Sequence, residues 1–239
     1  MGSDPNCLNF FQIKANMQAP LHPFDAVLFD LDGTLVDSET VAIDVFHEEG
    51  LALGLSFSRE EARLAFQGQP MSRCVAYIAD RLPRPAPALG DDFHAAFTAH
   101  IRRRQTERFR QGLLPMPGAR ELLQGLRLPH CVATNGPREK AELTLGLTGL
   151  LPFFEERLFC AYEVGSFKPE PGLFLHAAQA LGARPSHCAV VEDSLPGVQA
   201  GLAAGMQVFS LTEVDAALMA SGRVRRIAAL QELQALLAA

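Results

Sequence analysis

The sequence predicts an α/β fold: a doubly wound, Rossmann-like parallel sheet with an all-helical cap domain inserted into it. Short apolar runs that predict buried strands alternate with helical segments of about 10–15 residues over most of the chain. One long stretch, residues 38–112, has helical patterns only and interrupts this alternation after the first strand. At 239 residues the chain is long for a single compact domain, which agrees with one core that carries an insertion.

Five apolar segments predict the strands of the sheet. The first, Ala26–Phe29, is uniformly apolar, as expected for a strand that is buried on both faces of a parallel sheet. The other four are residues 131–133, 158–160, 188–191 and 207–209. Helices are predicted between the later strands at residues 117–127, 137–147, 170–181 and 195–204.

The inserted stretch divides the chain into two predicted units. Its helical patterns cover residues 38–53, 58–66, 71–81 and 91–110. We therefore predict a cap at residues 38–112 and an α/β core formed by residues 21–37 and 113–239. Residues 1–20 show no clear periodicity, and we interpret them as a disordered leader or a vector-derived segment.

Charge and composition argue against several classes of partner. The net charge is −6, so we expect no general affinity for nucleic acid or for anionic membranes. No run approaches the roughly 18 apolar residues of a membrane span, and the N-terminus lacks the pattern of a secretion signal. The five cysteines form no C-x-x-C pair, which favours free thiols over disulfides or a zinc site. These features predict a cytoplasmic protein, and we expect a monomer.

Two carboxylates follow the first predicted strand, at the end of a sheet where α/β proteins bind their ligands. They lie in the sequence Asp30-Leu31-Asp32-Gly33. On such a turn Asp30 can attack as a nucleophile, while Asp32 gives a proton to a leaving oxygen and later takes one from water. A plain turn with helix-capping aspartates explains the same pattern without catalysis.

Two further predicted strand ends supply groups that suit a phosphate. Thr134 and Asn135 precede a helix, whose N-terminal N–H groups bind phosphate, although both residue types also simply cap helices. Lys168 lies in a loop with two nearby prolines and could neutralise both a nucleophile and phosphoryl oxygens. A solvated loop lysine is the alternative interpretation.

The last predicted strand end carries two adjacent acids, Glu192 and Asp193. Burying them is costly unless they are paired or bind a cation. We therefore predict a Mg²⁺ site formed by Asp30, the carbonyl of Asp32, and Asp193, with Glu192 as a further ligand or as an outer hydrogen-bond acceptor.

Together these motifs resemble the haloacid dehalogenase-like (HAD) superfamily. The resemblance spans residues 25–212 in the order D-x-D-G-T-L-x-D-S, T-N-G, K-P and E-D-S-x-x-G. It implies that Asp30 is the nucleophile, Asp32 the general acid and base, and Asp193 a metal ligand. It also implies that Thr134 and Lys168 bind the phosphoryl group, and that the cap closes over the site and selects the substrate.

Within this superfamily the sequence favours a Mg²⁺-dependent phosphatase that works through an aspartyl-phosphate. Dehalogenases lack an acid at the place of Asp32. The β-phosphoglucomutase type shares all four motifs, but its cap histidine aligns with Ala42 and its cap arginine aligns near Met71. We expect hydrolysis, with the mutase as the alternative and a non-catalytic phosphometabolite-binding protein as a weaker one.

Three runs of the sequence look similar to the branch of the bacterial 6-phosphogluconate phosphatases: residues 134–138, 167–178 and 201–206. This resemblance implies a small phosphate ester of a sugar or sugar acid, such as 6-phosphogluconate, as the substrate. Gln67, Gly68 and Arg73, on and after a predicted cap turn, are our candidates for contacts with the leaving group, and Asn135 is a further candidate for substrate binding. A plain cap loop explains the three cap residues equally well.

Overall fold

The computed structural model describes residues 24–82 and 93–238, which form a six-stranded parallel sheet with helices packed around it. The strands are β1 (Ala26–Phe29), β2 (His130–Thr134), β3 (Leu158–Cys160), β4 (Cys188–Glu192), β5 (Gln207–Ser210) and β6 (Val224–Arg226). Their order in the sheet is β3-β2-β1-β4-β5-β6, and all neighbouring pairs are parallel. The chain runs outward from β1 to β3 and then returns to build the other half, which confirms the doubly wound sheet.

The cap comprises four helices in the described residues between β1 and β2. They are α1 (Ser38–Ala52), α2 (Arg59–Phe66), α3 (Met71–Ala79) and α4 (Phe93–Phe109). Apolar residues of all four, among them Phe46, Phe66, Ile78 and Ile101, form a separate buried cluster. The sequence therefore predicted the four cap helices, although residues 91–92 of the last one lie outside the described residues, as does the predicted leader.

The core helices flank the sheet. They are α5 (Ala119–Gly125), α6 (Arg138–Leu147), α7 (Ala161–Val164), α8 (Gly172–Ala180), α9 (Leu195–Ala203), α10 (Ala216–Met219) and α11 (Gln231–Ala238). Successive residues of β1 point to opposite faces of the sheet, so Val27 and Phe29 enter one buried cluster while Ala26 and Leu28 enter another. A strand buried on both faces places the residue that follows it at a fixed point of the molecule.

Two antiparallel segments connect the cap to the core. Val36 and Pro115 form an isolated bridge between them. Asp37 donates its backbone N–H to the carbonyl of Leu114 at 3.0 Å, and Met116 donates to Leu35 at 2.9 Å. The paired segments lie directly after the Asp30–Gly33 turn. We retain residues 38 and 112 as our proposed limits of the cap.

β6, α7, α10 and α11 were missed by the sequence analysis. β6 has the sequence Val-Arg-Arg, and only Val224 is buried, so it lacks the apolar run that marks the other strands. The helices α7 and α10 have four residues each, too short for a helical period to show.

Four cysteines in the described residues are free and buried, as predicted: Cys74, Cys131, Cys160 and Cys188. None of the helices in residues 24–82 and 93–238 is both long and apolar enough to traverse a membrane.

Candidate active site

The carboxyl ends of three central strands meet at one edge of the sheet. β1 pairs with β2 on one side and with β4 on the other, so the strand order reverses at β1. Asp30 directly follows β1, Thr134 ends β2 and Glu192 ends β4. The register therefore brings residues together that are far apart along the chain, as the sequence analysis predicted.

Lys168 joins the first and last of these strand ends. Its ammonium nitrogen lies 2.5 Å from Asp30 Oδ1 and 2.6 Å from Glu192 Oε1. The Lys168 side chain is 2% exposed, and that of Glu192 is fully buried. The alternative of a solvated loop lysine is therefore wrong: Lys168 is a buried cation shared by two carboxylates.

Asn135 fixes the backbone of this lysine. Its Oδ1 accepts the backbone N–H of Lys168 at 2.9 Å, and its Nδ2 donates to the Lys168 carbonyl at 3.2 Å. The side-chain amide thus holds the loop rather than projecting alone into the site. These bonds give Asn135 a positioning role, and the predicted contact with the substrate stays a prediction.

The buried acids carry more negative charge than Lys168 can balance. Burial raises the pKa of Asp30 to about 7, aided by the charges of Glu192 and Asp32 and opposed by Lys168. Burial also raises the pKa of Asp193 well above its ordinary value, with Asp30 and Glu192 adding to the effect. Burial alone would lower the pKa of Lys168, but the neighbouring carboxylates Asp30 and Glu192 raise it, so the ammonium stays charged.

A divalent cation fits this cluster of acids. Asp30, Glu192 and Asp193 each offer an oxygen, and these oxygens all lie within 4.8 Å of one another. Carboxylate oxygens suit a hard cation, and its charge would relieve the repulsion that raises the pKa values. Asp193 reaches the site because Gly33 has no side chain: a Cβ there would lie 2.0 Å from Asp193 Oδ2, and its φ of +82° favours glycine.

Glu192 is the least available of the three acids. Besides Lys168 on Oε1, its Oε2 accepts the backbone N–H of Ser194 at 3.0 Å and the Ser194 hydroxyl at 2.8 Å. A Cβ on Gly197 would lie 1.8 Å from the Glu192 carboxyl carbon, so glycine leaves the space this side chain fills. Of the two roles predicted for Glu192, the geometry favours the outer acceptor.

Asp32 is oriented by two donors that the sequence analysis did not single out. The Ser38 hydroxyl and the Lys140 ammonium, the latter at 2.7 Å, both donate to Asp32 Oδ1. Burial raises the pKa of Asp32, but Lys140 and Ser38 outweigh it and hold the pKa below its ordinary value. The other oxygen faces the turn after β2, since a Cβ on Gly136 would lie 3.7 Å from Asp32 Oδ2.

Thr134 lies at the same turn, where a Cβ on Gly136 would lie 3.3 Å from the Thr134 Oγ1. Its side chain is buried, and its hydroxyl oxygen accepts the backbone N–H of Gly136 at 3.0 Å. The hydroxyl proton remains available to an acceptor such as a phosphoryl oxygen. No comparable pattern marks Lys140, which lies in the first turn of α6.

In the cap, the loop between α2 and α3 contacts a residue of α1. The backbone N–H of Gly68 donates to Glu39 Oε1 at 2.5 Å. Glu39, in the first turn of α1, is partly buried; burial raises its pKa and the nearby Asp32 adds to the rise. Gln67 accepts a hydrogen bond from Arg63 at 2.8 Å, and Arg73 lies exposed in the first turn of α3. The structure thus links Gly68 to the site through Glu39, whereas no hydrogen bond or ion pair among the described residues joins Arg73 to the acids.

Comparison of the sequence with known proteins identifies a family and several similar phosphatases. Residues 24–205 match the family of haloacid dehalogenase-like hydrolases. The 6-phosphogluconate phosphatase of Escherichia coli is 32% identical over 185 residues, covering 77% of this chain and 81% of its own. Hexitol phosphatase A of the same organism is 34% identical over 189 residues, with 77% and 81% covered.

A solved structure gives the same result at the level of the fold. The HAD family hydrolase of Deinococcus radiodurans, determined with bound phosphate and sodium, is 35% identical, with a TM-score of 0.74. The alignment covers 91% of this chain and 96% of that one. We conclude that the chain is an enzyme of the haloacid dehalogenase-like hydrolase family, and that it is a phosphatase.

Proposed function

We propose that the protein is a Mg²⁺-dependent phosphatase that hydrolyses phosphate esters of sugars or sugar acids, such as 6-phosphogluconate, through an aspartyl-phosphate on Asp30. The observation that carries the proposal is the buried Asp30–Lys168–Glu192 arrangement, with Asp193 close enough to share a cation. The two bacterial relatives are a 6-phosphogluconate phosphatase and a hexitol phosphatase, which supports a phosphorylated sugar acid or sugar alcohol as the substrate. The proposal includes a cytoplasmic monomer with no nucleic-acid or membrane partner.

In the first half of the reaction, an oxygen of Asp30 attacks phosphorus and the bond from phosphorus to the leaving oxygen breaks. Asp30, Asp193 and the carbonyl of Asp32 would hold Mg²⁺, which when bound supplies charge that offsets the repulsion between carboxylate and phosphoryl oxygens. Lys168 adds a fixed positive charge beside Asp30, and the hydroxyl of Thr134 donates to a phosphoryl oxygen.

Asp32 handles the proton in both halves of the reaction. It protonates the leaving oxygen first, and it then takes a proton from the water that attacks the aspartyl-phosphate and releases inorganic phosphate from Asp30. The hydrogen bonds from Lys140 and Ser38 keep Asp32 ionised in the free enzyme. The negative charge of an entering phosphate raises the pKa of Asp32, which favours the protonated form that the first half needs.

A screen for phosphate release tests this proposal. Gluconate 6-phosphate, hexitol 6-phosphates, glucose 6-phosphate, phosphoglycolate and nucleotides are incubated with the enzyme and Mg²⁺, with chelator in parallel. We expect release from the sugar-acid or hexitol esters that the chelator abolishes. Absence of release from every ester in the presence of Mg²⁺ would contradict the proposal.

The mutase alternative requires a cap base at a position of α1 where this chain has no histidine. Ala42 stands at the aligned position, and the nearest histidine along α1, His47, has Nε2 3.0 Å from the carbonyl of Phe57. Since a carbonyl oxygen only accepts hydrogen bonds, Nε2 carries the proton and donates it to the carbonyl of Phe57. The His47 ring also packs against the Phe57 ring. Phosphorus NMR with β-glucose 1-phosphate separates the reactions, because a mutase forms glucose 6-phosphate without inorganic phosphate.

A further inference from the structure

We infer that Lys140 is a specificity-determining residue that binds the leaving group of the substrate and favours leaving groups with a carboxylate. This inference rests on the proposed function, since it assigns the part of the substrate that departs from phosphorus. The observation behind it is the ammonium of Lys140, which lies 2.7 Å from Asp32 Oδ1.

The two lysines in the described residues are placed differently. Lys168 is 2% exposed and is held between Asp30 and Glu192, at the point where phosphorus is attacked. The side chain of Lys140 is 30% exposed and has one charged partner, Asp32. An ammonium has three N–H donors, so Lys140 retains capacity for a ligand, whereas Lys168 is enclosed by its partners.

The position of Asp32 fixes which part of the substrate Lys140 meets. Asp32 serves the leaving oxygen, and its Oδ2 faces the turn at residues 134–136 while its Oδ1 carries Lys140. A cation that touches one oxygen of this carboxylate lies within a few ångströms of a leaving oxygen bound to the other. The flexible lysine stem extends this reach along the leaving group.

The surroundings of Lys140 are otherwise acidic. Glu39 lies toward the cap, where it accepts the Gly68 N–H, and its charge acts on both Asp32 and Lys140. A hydroxylated leaving group can donate to Glu39 and accept from Lys140. A carboxylate gains most from the cation, because opposite charges attract each other more strongly at a side chain that is only 30% exposed than in bulk water. This combination suits a phosphorylated polyhydroxy acid.

The test compares two substrates that differ only in that carboxylate, gluconate 6-phosphate and glucitol 6-phosphate. Any contribution of Lys140 to the orientation of Asp32 affects both substrates alike and cancels in the ratio of their kcat/KM values. We expect K140M to lower kcat/KM for gluconate 6-phosphate about tenfold more than kcat/KM for glucitol 6-phosphate. We expect K140R to keep the wild-type ratio of the two values. R127M, which removes an exposed cation before β2 at the opposite end of the sheet, serves as the matched control and leaves the ratio unchanged.

A binding measurement in the D30N background supplies a readout without turnover. Calorimetric titration with Mg²⁺ present should show that adding K140M weakens gluconate 6-phosphate several-fold more than glucitol 6-phosphate. Equal loss for the two substrates in both experiments would overturn the inference and leave Lys140 as a positioning residue for Asp32. Wild-type enzyme that releases no phosphate from either ester would instead contradict the proposed function, so the two failures are distinct.

Discussion

The core and the cap contribute to the site in contrasting ways. In the core, strand register and burial fix each group: Asp30 follows a strand without exposed residues, and Lys168 is held at 2.5 and 2.6 Å between two acids. In the cap, by contrast, the loop between α2 and α3 reaches the site through a hydrogen bond from the Gly68 N–H to Glu39. Arg73, at the start of α3, is exposed. From this difference we propose that the core determines which bond is broken, while the cap and the residues facing it determine which molecule is accepted.

The largest effect is expected for the nucleophile in the core. D30N replaces the attacking oxygen, so kcat should fall by about 10⁴-fold or more, because loss of a covalent nucleophile removes the reaction path itself. D44N makes the same chemical change in the cap, where Asp44 pairs with Arg59 on the surface at 2.6 Å, and it should retain activity within about threefold. Steady-state phosphate release measures both, and equal losses would contradict the division of roles.

The buried lysine should come next. K168M removes a preorganised cation, and we expect kcat to fall about 10²–10³-fold. It also leaves Asp30 and Glu192 unpaired, which should cost about 3–5 kcal/mol in the free energy of unfolding at pH 8. The cost should shrink as the pH is lowered, since protonation neutralises the acids.

Arg63, in the cap, provides a control for the K168M variant. It pairs with Glu60 at 2.7 Å on the surface, and both side chains are well exposed. R63M should therefore change the free energy of unfolding by less than about 1 kcal/mol. Chemical denaturation compares the two variants, and a larger loss for R63M than for K168M would be inconsistent with the buried charge network.

A smaller loss is expected when the support of Lys168 is removed. N135A deletes both bonds to the Lys168 backbone, so kcat should fall about tenfold and stability by about 1–2 kcal/mol. Q67A changes the cap loop instead, and we expect a few-fold rise in KM with little change in kcat. Saturation kinetics on one substrate separate the two patterns; the reverse assignment would refute the distinction between core and cap.

The smallest effect is a pH-dependent shift in Tm on adding Mg²⁺. The pKa of Asp30 rises from 3.8 to about 7 on folding, so without metal the folded state binds more protons and loses stability as the pH increases from about 4 to 7. Metal binding requires the carboxylates, so Mg²⁺ should stabilise the protein by several degrees at pH 8 and less at pH 5. Differential scanning calorimetry measures this; an equal or larger shift at pH 5 would argue against the acidic cluster as the metal site.

The same contrast explains what the sequence could predict. Strand ends are visible in a sequence, because an apolar run that stops at a polar residue marks both the element and its limit. Asp30, Thr134, Glu192 and Asp193 were therefore located from pattern alone, and parallel pairing brings the three strands that precede them to one edge. The strand Val224–Arg226 escaped this reasoning since it has no apolar run.

Contacts that depend on how a helix or loop is rotated were not predictable in this way. Lys140 and Glu39 resemble ordinary surface charges at the starts of helices until the fold places them beside Asp32 and Gly68. The sequence also did not predict that the amide of Asn135 binds the backbone of Lys168, while its predicted contact with the substrate stays a prediction. Such partners lie tens of residues apart, and one sequence holds no record of their pairing.

The most direct test of the account is to trap the covalent enzyme. Wild-type protein is mixed with Mg²⁺ and gluconate 6-phosphate labelled with ³²P, quenched in acid within milliseconds, and digested for peptide mapping. We predict transient label on the peptide that contains Asp30, removable by hydroxylamine as expected for an acyl phosphate, and no label on D30N. Turnover without covalent label at any time, or label on a different residue, would contradict nucleophilic attack by Asp30.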